Sequence, residues 1–578
     1  MSLVKAATAK PVFFTLRQFG RQSGRPVEPG ERRLFGLGMG GIALFLALFV
    51  LLPLCAVFLR SVYDRDGAFV GLANFAAFLE APTLVRSVAN TLTLSLLTTV
   101  ITVALAFLYA FCLTRTHMAG KGLFRLLAQI PLLAPSLLPA IALVYLFGNK
   151  GILRGLLMGE SIYGPIGIVM GEVFYTFPHA VMILTVALST SDARLYEAAE
   201  ALGAGAWKRF ATITLPGVRY GLISAIFVVF TLVVTDFGVP KVIGGSTNML
   251  ATDVYKQVVG LQNFGMGAVV GIVLLLPAVL AFVADWVGQR RQMALLSARS
   301  VPFQPRVSPV GDRLALLFCT LVGGLLLGLL GVAGFASIVT FWPYNLTPTL
   351  ANYDFAQFDA AGWSSYANSL TLAFWTALAG TAIVFTGAWL VERAPGRAAM
   401  KGTVRLMAIL PLAVPGMVLG LAYIFFFNAP WNPLGWLYHG MSILVLATVA
   451  HFYTVSHLTA VTALKQLDAE FEAVSASLKV PVWSTFLRVT VPLCLPAILD
   501  IAIYFFVNAM TTVSAVVFLY SPETKPASVA VLNMDDAGEV AGAAAMAMMI
   551  VLTSAAVRAL HALLSRALQA RTQAWRRR

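Results

Sequence analysis

FGLGMGGIALFLALFVLLPLCAVFL, residues Phe35 to Leu59, runs without a single charged side chain. A helix rises about 1.5 Å per residue, so this stretch exceeds the roughly 30 Å hydrocarbon core of a bilayer. It is also too long for the core of a signal peptide, so the reading is a first membrane helix and not a cleaved leader. Before it lie Lys5, Lys10, Arg17, Arg21, Arg25, Arg32 and Arg33, against Glu28 and Glu31 as the acids. Basic flanks of this kind stay on the cytoplasmic side.

Outward from that run, five more apolar stretches follow near 88–113, 124–147, 163–189, 218–238 and 266–288. Six others lie near 314–342, 366–391, 404–427, 441–463, 494–518 and 541–564. The composition agrees: 59% apolar and 11% charged side chains, with a mean hydropathy of +0.84, exclude a water-soluble fold. The net charge of +15 comes from basic residues between the runs and at both ends. With no aromatic-interleaved basic patch, this points to an anionic lipid surface and away from nucleic acid. Cys55, Cys112, Cys319 and Cys494 sit singly in or beside apolar stretches, which predicts neither disulfide nor metal.

Twelve spans put both termini on one side, and the charge bias makes that side cytoplasmic. Residues 345–366 and 428–441 contain no Lys or Arg and are expected outside. The connection with Arg393, Arg397, Lys401 and Arg405, and the linker with Arg290, Arg291, Arg299 and Arg306, are expected inside. The boundaries read as a basic tail 1–34, a first half 35–288, a linker 289–313, a second half 314–564 and a basic tail 565–578.

The halves repeat each other at an offset near 280. Asn90-Thr91-Leu92-Thr93-Leu94 returns as Asn368-Ser369-Leu370-Thr371-Leu372, and Pro131 and Pro135 return as Pro411 and Pro415. Lys121-Gly122 returns as Lys401-Gly402, and Phe174-Tyr175-Thr176 with His179 as Phe452-Tyr453-Thr454 with His457. Six spans is an even number, so the repeats are parallel and related by an axis along the membrane normal. Two like halves around such an axis enclose a central path that rocking opens to either side.

Between the fourth and fifth spans, Glu197-Ala198-Ala199-Glu200-Ala201-Leu202-Gly203 leads to Ile213-Thr214-Leu215-Pro216. The Ala-rich start favours a short helix, and Gly203 permits a sharp turn. Trp207 and Phe210, three apart, share a face of a second short helix, which is either a docking face or packing against the membrane helices. The second half aligns through Leu478, Trp483, Phe486, Val489, Thr490 and Pro492. There Lys479 replaces the glycine, and Glu472, with Ala473 and Val474, stands one position early, so its turn is expected to be built differently.

Glu-Ala-Ala, a glycine six positions after the Glu, then Ile-x-Leu-Pro resembles the signature loop of the inner-membrane permeases of binding-protein-dependent ABC importers. The resemblance covers nearly the whole chain. It implies an all-α polytopic fold of about 12 transmembrane helices in two parallel six-helix repeats, with coupling loops that seat in two copies of an ATP-binding subunit at the cytoplasmic face. It further implies a periplasmic solute-binding protein as partner and an inner-membrane location. No GxxxxGK[ST] loop occurs, so ATP and Mg belong to the separate ATPase and this chain needs no cofactor of its own. No nucleophile elbow or metal-binding helix motif is present either, so no catalytic or metal residue is named and no enzyme is expected.

Ionisable groups inside spans are costly and ask for a reason. Glu172 lies about 12 Å into the fourth span, and Asp236 about 30 Å along the fifth from its inner end, so both are expected on the outer side. They either meet a cationic part of the solute or pair with Lys241 or another basic side chain. His179 and His457 occupy matching mid-span positions, facing the axis or bonded to neighbouring helices. Pro131, Pro135, Pro139, Pro411 and Pro415 break or kink their spans, freeing carbonyls to line a cavity or only shaping the packing. Hydroxyls of Thr511, Thr512 and Ser514 are further path candidates.

Within the family, fused two-half permeases serve ferric iron, thiamine and phosphonates. The strings Thr235 to Gly245, Ala251 to Gly260 and Ala530 to Gly538 resemble permeases assigned to 2-aminoethylphosphonate, which makes that solute the first expectation and ferric iron or thiamine the alternative. A proton-coupled carrier, using the intramembrane acids or histidines, is the rival from another class.

Overall fold

The computed structural model describes residues 29–64, 67–293, 301, 303–305, 307–394, 398–468 and 470–572. The basic stretches expected at residues 1–28 and 573–578, with Arg299, Arg306 and Arg397, lie outside them. Eight helices are long and apolar enough to cross a membrane: Arg33–Ser61, Pro82–Arg115, Pro165–Ser189, Ala206–Thr235, Phe264–Asp285, Pro309–Ser337, Trp363–Arg393 and Val540–Ser565. Four more are bent pairs: Lys121–Leu133 with Leu137–Phe147 by 99°, Ala398–Ala413 with Gly416–Phe427 by 115°, Met441–His451 with Tyr453–Lys465 by 57°, and Val482–Leu493 with Leu495–Thr511 by 75°. Each bent pair taken as one span gives twelve among the described residues, in an all-α polytopic membrane protein.

The two sharpest bends follow from proline chemistry. A residue before proline is driven out of the helical region, and Ala134 (φ −101°, ψ 140°) and Val414 (φ −101°, ψ 117°) are both extended ahead of Pro135 and Pro415. Pro178, by contrast, sits inside the continuous helix Pro165–Ser189. Three expected boundaries are corrected. The helix of the fifth span begins at Ala206, not near 218, running on through a π-turn at Phe210–Thr214 without a break. The eleventh ends at Thr511, not 518. The seventh ends at Ser337, after which Val339–Phe341 pairs antiparallel with Asn345–Pro348.

The repeated sequence strings have repeated jobs. Thr91 Oγ1 accepts the backbone N–H of Leu250 at 2.9 Å while donating to the Ser87 carbonyl, and Ser369 Oγ accepts that of Ala527 at 2.7 Å. Asn90 donates to the Asn248 carbonyl and Asn368 to those of Glu523 and Lys525. Each pair thereby holds the entry to a short buried helix, Leu250–Tyr255 or Ala527–Asp536. Arg115 donates to the Leu188 carbonyl at 3.0 Å, and Arg393 repeats this on Leu464 at 3.3 Å. Leaving a buried N–H without its acceptor costs about 1–3 kcal/mol. Thr91→Val and Ser369→Ala should each therefore lower the thermal unfolding midpoint of the detergent-purified protein, and an unchanged midpoint would remove this role from the motif.

The first span of each half lies against the other half. Phe35 meets Trp389 (5.4 Å between ring centroids), Phe49 stacks on Phe427 (5.7 Å), and Tyr423 donates to the Phe49 carbonyl at 2.8 Å. In return Tyr109 meets Phe318 at 6.4 Å, and Trp342, just beyond the seventh span, donates to the Tyr145 carbonyl at 3.0 Å. Lipid tails are as apolar as these side chains, so close packing and buried hydrogen bonds, rather than water exclusion, hold the halves together. One pair of cysteines is less isolated than expected: Cys112 and Cys319 contact each other across this interlock as free thiols.

Candidate functional site

The first elbow begins with helix Ala193–Ala201, whose N-terminus is capped by Asp192 accepting from Arg194 N. The Arg194 side chain, hydrogen-bonded to the same carboxylate, holds Asp192 down at about 2. The helix ends at Gly203 (φ +74°), with the Ala204 N–H reaching back to the Ala199 carbonyl at 2.9 Å. This is a Schellman closure, which needs a left-handed residue. Glu197 and Ala198 are exposed and Ala199 is half-buried.

The second elbow corrects an expectation. Lys479 adopts the same left-handed conformation (φ +54°), and the Val480 N–H reaches the Ser475 carbonyl at 3.0 Å, so the turn is built alike without a glycine. Glu472 and Ala473 lie in its helix, Glu470–Ser477.

Trp207 and Phe210 share a face as expected, their rings stacked at 5.5 Å, but at different depths. Phe210 turns inward onto Phe107 and Phe111, and Phe486 repeats this on Phe385 and Trp389. Trp207 is 77% exposed and Trp483 55%, and Leu202 and Leu478 of the same elbows are exposed as well. One aromatic of each pair anchors the elbow, and the other is presented outward. Beyond them Ile213 is half-buried, while Leu215, Pro216 and Pro492 are exposed. A proline inside a helix removes the bond to the carbonyl four residues back, and in both halves the turn just before it, Phe210–Thr214 or Phe486–Thr490, widens to a π-helix.

The elbows are braced unequally. In the first, the Val301 carbonyl of the linker accepts from Ala193 N at 2.9 Å, Phe303 packs on Tyr196 at 4.6 Å, and the Arg115 guanidinium lies 4.3 Å over Phe303. In the second, Val482 N donates to Glu31 Oε1 from the start of the first span at 3.2 Å.

Between the halves lies a cavity of about 660 Å³. Its wall contains Asp236, His179, Thr511, Thr512 and Ser514 from the sequence reading, with Pro411 and Pro415. Asp236 Oδ2 accepts the Val239 N–H at 2.8 Å, and the Ser136 hydroxyl sits beside its carboxylate. Glu172 does not line the cavity. It is fully buried, its carboxyl against that of Asp236. His457 does not line it either: the bend at Phe452 turns that helix, so His457 stacks on Tyr453 and His451 takes the place at the wall. Lys241 pairs with neither Glu172 nor Asp236 but with Asp536, at 2.8 Å.

Sequence reasoning missed Asp285, Asp500, Arg558 and His561 at the cavity wall, where His561 meets Asp500 at 3.1 Å and Arg558 donates to Gln129 at 3.0 Å. The same search for charge within spans finds them once it is carried to Asp500 inside the eleventh span and to the ends of the sixth and twelfth.

Comparison with known proteins follows the same duplication. A family profile described as binding-protein-dependent transport system inner membrane component matches twice, over residues 102–293 and 383–570. The chain is 28% identical over 551 residues to a ferric transport system permease protein of Actinobacillus pleuropneumoniae, covering 91% of this chain and 78% of the relative. It is 29% identical over 509 residues to a putative ferric transport system permease protein of Haemophilus influenzae, covering 84% and 78%. A spermidine/putrescine transport system permease protein of Haemophilus influenzae is 30% identical over 258 residues, 41% of this chain and 88% of that one.

Proposed function

Because this chain belongs to the family of inner membrane components of binding-protein-dependent transport systems, carrying two copies of the domain in one polypeptide, we propose that it is the permease of an importer for ferric iron. It is a permease subunit of an ABC importer and not itself an enzyme. In the proposed cycle a periplasmic binding protein delivers the solute, and two separate ATPase subunits, which hold ATP and Mg, close beneath the elbows at Gly203 and Lys479. The halves then expose the cavity to the cytoplasm, where both termini lie.

The observation that carries the cargo class is the charge of the cavity wall. Asp236, Asp285 and Asp500 stand against Arg558 as the guanidinium, and the hydroxyls of Tyr175, Tyr504 and Thr511 add neutral oxygens. Carboxylate and hydroxyl oxygens suit a hard cation, and a net acidic wall disfavours an anion. The two ferric relatives match along most of their length, which supports the same choice. The strings that resemble 2-aminoethylphosphonate permeases keep that zwitterion as the competing solute, its phosphonate able to meet Arg558.

The test is uptake into proteoliposomes holding the permease, its ATPase and ATP, fed by the loaded binding protein, with no ion gradient. Radiolabelled ferric ion should enter, and neither 2-aminoethylphosphonate nor thiamine should compete. Uptake of the phosphonate instead would reject the cargo, and uptake driven by a proton gradient without ATP would reject the importer.

A further inference from the structure

Beyond the outer end of the cavity, the chain leaves the fifth span at Thr235 and enters the short helix Gly238–Ile243. Lys241 on this helix of the first half reaches Asp536, the last residue of helix Ala527–Asp536 of the second half, with 2.8 Å between Nζ and Oδ1. The ammonium also lies 5.4 Å over the ring of Tyr255, which stacks at 6.1 Å on Phe518 of the second half and packs at 5.1 Å on Phe237. Phe237 and Gly238 of the first half and Val513 and Ser514 of the second line the cavity together here. These contacts therefore cross from half to half where the cavity ends.

We infer that the Lys241–Asp536 ion pair is a latch on the outer gate, holding the halves together above the cavity and parting when cargo is admitted. The repeat supplies no second copy, since the position matching Lys241 is Val517. One half carries the cation and the other the carboxylate, so the latch is asymmetric between the repeats. The pair is partly exposed, with side-chain exposures of 21% and 42%, so it biases the gate and does not weld it. A cation held over an aromatic face adds to the bias. Asp535, next to the latch, has its carboxyl pushed up to about 6 by burial and then by Asp536, with Lys241 opposing.

This inference rests on the importer reading, and the experiment separates the two. In the assembled complex with its ATPase, hydrolysis of ATP is measured with and without the binding protein. Lys241→Met and Asp536→Asn should each raise hydrolysis without the binding protein several-fold, because a loosened outer gate mimics docking. The charge-swapped double, Lys241→Asp with Asp536→Lys, should return hydrolysis to the wild-type level. Singles that behave as wild type, or a swap as uncoupled as the singles, overturn the latch. If a single variant does not assemble, the swap decides alone: normal dependence on the binding protein supports the pair, and uncoupled hydrolysis rejects it. Failure of the importer reading looks different, since the unaltered complex would then show no stimulation by the binding protein at all.

Discussion

Gly203→Pro should reduce transport to background while the chain still inserts in the membrane at its normal level. Proline fixes φ near −65°, and Gly203 sits at +74° with its Schellman closure formed around it. Beyond its chain neighbours nothing lies within 4 Å of where a Cβ would be, so the effect is not crowding but the fixed φ together with loss of the Gly203 N–H that donates to the Glu200 carbonyl at 2.8 Å. Gly203→Ala should consequently be milder, costing the elbow about 1–2 kcal/mol, the ordinary penalty of a left-handed non-glycine residue. Lys479→Gly runs the other way. It relieves that penalty in the second elbow and should stabilise it by about 1 kcal/mol or less, the gain being offset by the greater freedom of glycine when unfolded. Membrane abundance and uptake, measured on the same cells, check all three. Wild-type uptake by the proline variant would mean that the turn carries no force between ATPase and membrane helices.

These variants also show where sequence reading reached and where it stopped. Apolar run length is a local property, so the twelve spans could be read directly, and the offset near 280 exposed the duplication because the same capping pairs, Thr91 with Leu250 and Ser369 with Ala527, recur in space. Lys479 misled because residue type is only a preference: a lysine can be held left-handed where Val480 N–H finds the Ser475 carbonyl. His457 misled for a different reason. Its sequence match to His179 is sound, but a 57° bend at Phe452, with no proline to announce it, rotates one helix and not the other. Side-chain direction depends on the accumulated turn of a helix, which a single break resets. Trp207 and Phe210 do stack as their spacing of three implies, but spacing does not say which of them meets Phe107 and Phe111.

The other large effect is expected at the wall of the cavity, where the halves solve one packing problem in opposite ways. In the first half Ser136, just past the proline bend, fits against Gly238: a Cβ there would stand 2.1 Å from the Ser136 Oγ. In the second half the pair is exchanged, Gly416 past the bend and Ser514 opposite, with 2.3 Å from the missing Cβ to the Ser514 Oγ. Gly238→Ser should therefore overpack the first half and cost about 1–3 kcal/mol, read as a lowered unfolding midpoint and weakened uptake. Adding Ser136→Gly rebuilds the arrangement that the second half already uses, and the double variant should recover most of the stability, a coupling of about 1 kcal/mol or more. A double variant no more stable than the single would show that the two sites are not complementary. Uptake carries separate information, because the Ser136 hydroxyl sits beside the carboxylate of Asp236, whereas the matching position in the second half is Thr512. Stability restored without uptake would assign that hydroxyl to the carboxylate and the cargo, while recovery of both would leave Ser136 as a matter of shape.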